Sequence, residues 1–355
     1  MVLTKSPLCR RGLGEVAMID GHGDDIYTHG KKIVSNFSSN IRSGQDLSAL
    51  QNHLCTHISA IHSYPEPDAS SLVELLAEKY RVNTGNICVA NGATEAIYLI
   101  AQAFNNAKSA IIYPTFSEYG DAAIINNHTI YWSASLDKVP QDARLVWLCN
   151  PNNPTGTVTD KNILKAYIEN HPSQYIIIDQ SYEHFTIRDL FDIEEAAQYK
   201  NVILLHSMTK HFAIPGLRLG YITAHADTLA QVAKYRMPWS VNGLAIEAGK
   251  FLLNGGLETI NINEYLYETK QLQESLRKIE KIVVQPTDTH FFLCKFEDGK
   301  AFMLKKYLID KYGILIRDAA NFYGLDESCF RIATQSFEEN IILINAIKNA
   351  LTDLS

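Results

Sequence analysis

Residues 202–221 read Val202-Ile-Leu-Leu-His-Ser207-Met-Thr-Lys210-His-Phe-Ala-Ile-Pro-Gly-Leu-Arg218-Leu-Gly-Tyr221. The first residues form an apolar run of strand length. A lysine follows on the predicted loop, with hydroxyl side chains before it and an arginine after it. Such a lysine suits attachment to pyridoxal 5'-phosphate, which needs an amine for its aldehyde and a carboxylate for its ring nitrogen.

Apolar runs alternate with amphipathic stretches through the middle of the chain. The predicted strands cover residues 86–90, 110–113, 129–132, 144–149, 175–179 and 202–206, and the predicted helices cover residues 71–80, 94–104 and 160–170. This order predicts an α/β fold whose mostly parallel sheet has helices on both faces. Such sheets bind ligands beyond the carboxyl ends of their strands.

The pattern changes after about residue 255, where Asn254-Gly-Gly256 is a plausible hinge. The predicted elements are then a helix at 258–281, strands at 291–295, 314–317 and 330–334, and helices that begin near 300 and 337. We therefore expect an N-terminal arm and part of a small domain at 1–45, a large cofactor-binding domain at 46–255, and a small α+β domain at 256–355.

Composition excludes several classes of function. The chain has 355 residues, is 46% hydrophobic and carries a net charge of -7. No basic run suggests a nucleic-acid or membrane surface, and no stretch of about 18 apolar residues suggests a membrane span. The basic start lacks the apolar core of a signal peptide, and Met18 could be the true start. We expect a cytoplasmic enzyme without a nucleic-acid or membrane partner.

Cysteine and histidine spacing predicts neither disulfides nor a metal site. The six cysteines are scattered and form no C-x-x-C pair. His53 and His57 are four residues apart and would share one face of a helix. No acidic or cysteine partner stands at a suggestive spacing in the sequence, so we predict no metal.

Two residues meet the chemical needs of the cofactor's reactive groups. Lys210 supplies the amine. Asp179 closes the run Tyr175-Ile-Ile-Ile-Asp179 and can keep the ring nitrogen protonated. Alone, the lysine could be a surface residue and the aspartate a turn or cap residue.

A phosphate cradle is predicted at the start of the helix that follows Gly92-Ala93-Thr94. A helix N-terminus offers free N–H groups and a positive dipole end to an anion. Thr94 could equally be a simple N-cap. Further hydroxyl groups and positive charge could come from Ser207, Thr209 and Arg218.

Three further side chains could hold the ring itself. Phe116 could stack on it, and Asn153 and Tyr182 could bind its 3'-oxygen. Each is unremarkable singly, since Asn-Pro is turn chemistry and Phe is usually a core residue.

Together these residues resemble the aspartate-aminotransferase superfamily, the fold type I pyridoxal-phosphate enzymes. The resemblance is carried by Asn153-Pro-Thr-Gly156, Asp179-x-x-Tyr182 and Ser207-x-Thr-Lys210, in that order, and covers nearly the whole chain. It implies covalent attachment of the cofactor at Lys210, Asp179 on the ring nitrogen, and Asn153 and Tyr182 on the 3'-oxygen. It also implies a homodimer with shared sites, in which Tyr64 reaches the partner's cofactor phosphate.

Within the superfamily the chain resembles two groups, the threonine-phosphate decarboxylases and the histidinol-phosphate aminotransferases. Met237-Pro-Trp-Ser-Val-Asn242 favours the first group and Tyr182 the second. Arg42-Ser43 departs from the Asn-Pro expected there. The resemblance implies that Arg331 binds a substrate carboxylate.

Arg317 resembles a residue that binds a substrate phosphate, with His22, Asn36 and Asn153 as further substrate contacts. The expected reaction is decarboxylation of L-threonine O-3-phosphate to (R)-1-amino-2-propanol O-2-phosphate, in cobalamin synthesis. The alternative is transamination between glutamate and imidazole-acetol phosphate. A cofactor-binding module without catalysis is a third possibility, which the intact set of residues disfavours.

Overall fold

The computed structural model describes residues 26–29, 32–258, 260–297 and 299–353. Its helices are α1 Ile26–His29, α2 Ser48–Thr56, α3 Ser70–Tyr80, α4 Gly92–Ala103, α5 Glu118–Ile125, α6 Lys161–Asn170, α7 Ile193–Ala196, α8 Met208–His211, α9 Ala226–Ala233, α10 Gly243–Leu253, α11 Ile262–Arg277, α12 Ala301–Tyr312 and α13 Phe337–Asp353. Its strands are β1 Ser35–Asn36, β2 Ile87–Ala90, β3 Lys108–Ile112, β4 Thr129–Ser133, β5 Leu145–Cys149, β6 Tyr175–Asp179, β7 Val202–Ser207, β8 Gly220–Ala224, β9 Ile282–Val284, β10 Phe291–Phe296, β11 Ile314–Leu315, β12 Arg317–Asp318 and β13 Cys329–Ala333.

The larger sheet has the strand order β2-β8-β7-β6-β5-β3-β4. From β7 to β4 the neighbouring strands are parallel, whereas β8 is antiparallel to both of its neighbours. The α/β fold with a mostly parallel sheet is therefore confirmed. The strand β8 was not predicted, because it follows the lysine loop directly, without an intervening helical pattern.

The central strands are apolar because helices cover both faces of the sheet. Every residue of β5 and of β7 is buried. Two apolar clusters lie on the two faces of the sheet; Trp147 belongs to one and Val146 to the other. Alternation of side chains along a strand explains this division.

A second sheet has the antiparallel order β12-β13-β10-β9. Its core includes residues of α11, α12 and α13, together with Phe37 from the N-terminal part of the chain. Nearby, β1 pairs in parallel with β11, so that Ser35 is opposite Ile314. The domain limits at residues 45 and 255 stay a prediction.

The two sheets meet at the Asn-Pro-Thr-Gly turn. The backbone N–H of Asp288 donates to the carbonyl of Gly156 at 2.9 Å. Gly156 has a φ of +74°, and a Cβ there would collide with Thr287 and with the carbonyl of Phe291. Only glycine fits this contact, which fixes the turn beside β10.

No helix among the described residues is long and apolar enough to cross a membrane.

Candidate active site

The candidate site lies where β5, β6 and β7 end side by side. Cys149 is opposite Asp179 in the sheet, and Asp179 is opposite Leu205. The residues that follow β5 and β7 therefore emerge next to Asp179. They enclose a cavity of about 210 Å³.

Most of the predicted site residues line this one cavity. They are Ala93, Thr94, Phe116, Asn153, Asp179, Tyr182, Ser207, Thr209, Lys210, Arg218 and Arg331. The sequence separates these residues by up to 238 positions (331 − 93), so the fold supplies their convergence.

Asp179 is buried, with 4% of its surface exposed. Its Oδ1 accepts the backbone N–H of Ser181 at 2.9 Å, and its Oδ2 accepts the hydroxyl of Tyr119 at 2.7 Å. No lysine, arginine or histidine of the described residues forms an ion pair with it. A buried carboxylate with only neutral donors can still hold a cationic ring N–H.

The N-terminus of α4 also lines the cavity, through Ala93 and Thr94. Gly92 has a φ of +84°, and a Cβ there would lie 2.5 Å from Nη2 of Arg218. The guanidinium of Arg218 therefore packs directly against the first turn of α4. Helix N–H groups and a guanidinium together form a suitable anion site.

Lys210 lies on the short helix α8, which Ser207 caps by accepting the N–H of Thr209 at 3.3 Å. The backbone N–H of Arg42 donates to the carbonyl of Lys210 at 3.0 Å. The side chain of Arg42 donates to the carbonyl of Glu258 at 3.1 Å. Arg42, which stands where asparagine was expected, thus supports the backbone of the lysine loop.

Arg331 is buried and forms no ion pair with a described carboxylate. Its guanidinium donates to Oδ1 of Asn153 and to the carbonyl of Ser38, while its Nε has no partner in the described structure. Burial lowers the pKa of Arg331 to about 10, with the nearby charge of Arg317 acting in the same direction. The group stays cationic at neutral pH and is suited to bind an anion.

Tyr182 is also buried, and its ring packs edge-on against Phe291 at 4.8 Å. Burial raises the pKa of Tyr182 well above its usual range, against the opposing effect of Arg331. The phenol therefore remains protonated at neutral pH and can donate a hydrogen bond.

Arg317 pairs with Arg331 in the register of β12 and β13. It is buried, donates to Oδ1 of Asn321 at 2.8 Å, and lies 5.3 Å from the ring centre of Phe322. It is outside the cavity lining itself.

Residues 32–347 match the family described as aminotransferase class I and II. The chain belongs to that family. The threonine-phosphate decarboxylase of Salmonella typhimurium is 30% identical over 90% of this chain and 92% of its own length. A histidinol-phosphate aminotransferase of Caldanaerobacter subterraneus is 31% identical over 82% of this chain and 85% of its own.

Among solved structures, the L-threonine-O-3-phosphate decarboxylase of Porphyromonas gingivalis has a TM-score of 0.87 and 37% identity. The match covers 90% of this chain and all of that one. The resemblance to fold type I pyridoxal-phosphate enzymes is thereby confirmed, and so is the cofactor.

The cavity of this family member fits the cofactor. Asp179 offers a buried carboxylate for the ring nitrogen, and Lys210 an amine for the aldehyde. Arg218 and the start of α4 offer a phosphate cradle where Gly92 leaves no room for a side chain. The unpartnered Nε of Arg331 is a further donor in the cavity wall.

Four predicted residues of the described ranges are not part of the cavity lining, namely Gly92, Tyr64, Asn36 and Arg317. Gly92 lies against the guanidinium of Arg218. Tyr64 is 84% exposed and packs on Trp239 at 5.2 Å. Asn36 accepts the backbone N–H groups of Ser38 and Ser39 with its Oδ1. Arg317 lies next to Arg331 on the neighbouring strand. His22 lies outside the described residues.

Sequence reasoning missed part of the lining, namely Ser38, Ser39, Asn40, Ile97, Tyr119, Cys149 and Ser181. Tyr119 lies at the start of α5, three residues after Phe116. This spacing is the only local indication that Tyr119 lies near the site. Residues 38–40 reach the cavity through the pairing of β1 with β11 and through the Asx turn at Asn36. Their own sequence therefore gives no local indication that they lie in the site.

Proposed function

We propose that the protein decarboxylates L-threonine O-3-phosphate to (R)-1-amino-2-propanol O-2-phosphate, for cobalamin synthesis. The observation that carries the proposal is the pairing of two buried arginines, Arg317 and Arg331, on adjacent strands beside the cavity. Two cationic groups so close together suit a small substrate with two anionic groups. The decarboxylases of Salmonella typhimurium and Porphyromonas gingivalis support the same reading.

The arginines orient the substrate in this proposal. Arg331 binds the carboxylate, with Asn153 holding its guanidinium. Arg317 binds the phosphate. Which bond of the α-carbon breaks depends on that orientation, and about 1.4 kcal/mol in barrier changes a rate tenfold.

Pyridoxal phosphate, when bound, accepts the electron pair that the broken bond releases. Lys210 carries the proton that the chemistry needs. In decarboxylation the substrate loses carbon dioxide and its α-carbon gains one proton, which the lysine ammonium can donate. Asp179 keeps the ring nitrogen protonated, with Tyr119 and the N–H of Ser181 holding the carboxylate in place.

Transamination in histidine synthesis is the second candidate. The histidinol-phosphate aminotransferase of Caldanaerobacter subterraneus and the tyrosine at position 182 favour it. In that reaction Lys210 would remove the α-proton instead of donating one. The same anion-binding arginines would serve its phosphorylated amine substrate.

A product assay on the purified holoenzyme separates the two. L-threonine O-3-phosphate alone should yield carbon dioxide and aminopropanol phosphate, and Lys210→Ala should abolish both products. L-serine O-phosphate, which lacks the methyl group, measures the selectivity. Glutamate formed from histidinol phosphate and 2-oxoglutarate, without carbon dioxide from the first substrate, would refute decarboxylation and establish transamination.

We infer further that two copies of the chain form a homodimer. Five large apolar side chains are exposed in two segments that meet where Tyr64 packs on Trp239, namely Ile58, Ile61, Tyr64, Met237 and Trp239. Exposed apolar patches of this kind mark association sites. Light scattering should give twice the chain mass of 39.8 kDa, and a fully active monomer would contradict the inference.

A further inference from the structure

A cluster of potential metal-binding side chains lies outside the cavity lining. His53 lies in the last turn of α2, His57 is the residue that caps the C-terminus of this helix, and Glu247 lies on α10. One potential ligand atom from each lies within 4.8 Å of the other two. Two histidines and a carboxylate form a ligand set that zinc commonly uses.

The hydrogen bonds of His57 determine which ring nitrogen is available. Its Nδ1 lies 2.8 Å from the carbonyl of His53, which can only accept. Nδ1 therefore carries the proton, and Nε2 carries the lone pair. A backbone carbonyl on the far nitrogen is the usual support for a metal-binding imidazole.

His53 supplies an independent sign of a missing ligand. Its Nε2 is buried and has no hydrogen-bond partner in the described ranges. Its ring lies between the rings of His57 and Phe251, at 4.1 and 4.7 Å. A buried polar atom without a partner is costly, and a metal ion would satisfy it.

Glu247 currently pairs with a lysine. The Nζ of Lys250 lies 2.9 Å from its Oε1, and the same Nζ lies 3.9 Å from a carboxylate oxygen of Glu66. Lys250 can therefore turn to Glu66 when a cation takes its place at Glu247.

We propose that His53, His57 and Glu247 bind one zinc ion, with solvent at the fourth position. Zinc bonds to nitrogen and oxygen measure about 2.0–2.2 Å, so the ligand atoms of one tetrahedral ion lie about 3.3–3.6 Å from one another. The side chains close the remaining distance by rotation, since His57 is exposed and Glu247 is half-buried. The ion joins α2 to α10 and so fastens the segment that leads to Tyr64. The proposal does not depend on the reaction that the enzyme catalyses.

Metal binding by the tag-free holoenzyme tests the proposal. Zinc is titrated in competition with a chromophoric chelator, in a Cys55→Ser background because that exposed thiol lies on the same helix. We expect one zinc per chain. His53→Gln, His57→Gln and Glu247→Gln should each weaken binding at least about tenfold, and the exposed His62→Gln should not.

A variant that should bind zinc more tightly shows that weaker binding in the others is not caused by misfolding. Lys250→Gln removes the competing cation, so zinc should bind several-fold more tightly. Zinc should also raise the melting temperature of the parent and leave that of Glu247→Gln unchanged. Equal zinc binding by the parent and by a His53→Gln, His57→Gln double variant would overturn the site.

Discussion

The hydroxyl of Tyr119 donates a hydrogen bond of 2.7 Å to Oδ2 of Asp179, the carboxylate that faces the cofactor nitrogen in our reading of the site. The ring of Tyr119 stacks on Trp147 at 5.5 Å, which fixes the direction of the hydroxyl. Burial raises the pKa of Tyr119 well above its usual range, with the charge of Asp179 adding to the effect. The phenol of Tyr119 therefore stays protonated at neutral pH and can donate to Asp179.

Tyr119→Phe should therefore lower the affinity for the cofactor, because it removes the hydroxyl and keeps the ring that stacks on Trp147. Hydrogen bonds to charged groups contribute about 1.5–3 kcal/mol, so we expect at least a tenfold rise in the cofactor dissociation constant. Absorbance titration of the apoenzyme measures it. Tyr199→Phe is the matched control, because Tyr199 also donates to a carboxylate, Glu169 at 2.9 Å, on the surface. Equal affinity of both variants would contradict a role for Tyr119.

Gly92→Ala should damage the phosphate cradle. The new Cβ would lie 2.5 Å from Nη2 of Arg218, in a backbone conformation that disfavours alanine. We expect the guanidinium to be displaced and the cofactor to bind at least about tenfold more weakly, as seen by equilibrium dialysis. Gly216→Ala is the control, since a Cβ there has no neighbour within 4 Å among the described residues. Unchanged cofactor affinity in Gly92→Ala would refute the cradle.

Tyr323→Ala should weaken substrate binding from a distance. Tyr323 stacks on Trp132 at 4.2 Å and meets Tyr113 edge-on at 5.0 Å, and its neighbour Phe322 packs against Arg317. Aromatic pairs contribute about 0.5–1.5 kcal/mol each beyond their buried area, so losing both loosens the loop that supports Arg317.

The expected result is a KM for the phosphorylated substrate that rises about tenfold, with kcat little changed. Tyr323→Phe keeps the ring and should restore the parent KM. A fall in kcat at constant KM would show that the loop acts on another step.

His290 should make the fold sensitive to mild acid. It is fully buried, and burial lowers its pKa to about 3 from an ordinary 6.5. Between these values the unfolded chain binds a proton that the folded protein does not. Its contribution to stability is thus complete above about pH 6.5 and is lost progressively as the pH falls toward 3.

His290→Gln should flatten this dependence. Its amide can replace the donor that Nε2 offers to the carbonyl of Asn40 at 3.2 Å. The free energy of unfolding of each holoenzyme is measured in urea between about pH 6 and pH 5. Its slope against pH should be smaller in His290→Gln than in the parent by up to about 1.4 kcal/mol per pH unit. The exposed His62→Gln serves as the control. An unchanged slope in His290→Gln would mean that other groups cause the acid sensitivity.

Six of the seven strands of the large sheet could be predicted, β8 being the exception, and the central ones are buried on both faces. Their sequences are apolar runs, bounded by polar turns, that a local reading detects. The predicted strand at 175–179 matches β6, and the predicted strand at 202–206 is β7 without its last residue. Helix α4 begins at Gly92, two residues before the predicted start, because Gly92 and Ala93 carry little hydrophobic pattern.

The same local reading could not find Tyr119 as the partner of Asp179. Sixty residues separate them, and a tyrosine on an amphipathic helix is usually a core residue. The position of Glu247 beside His53 and His57 could not be predicted either, because only the packing of α10 brings them together.

The sequence by itself determined the family and the cofactor. Lys210, Asp179 and Asn153 follow strand patterns, and in a parallel sheet the carboxyl ends of neighbouring strands lie together. The tertiary structure alone decided which further groups meet them. Arg331 binds the carbonyl of Ser38 across 293 residues of chain. Local patterns reflect neighbours within a few positions, whereas such contacts arise only when whole sheets and helices pack.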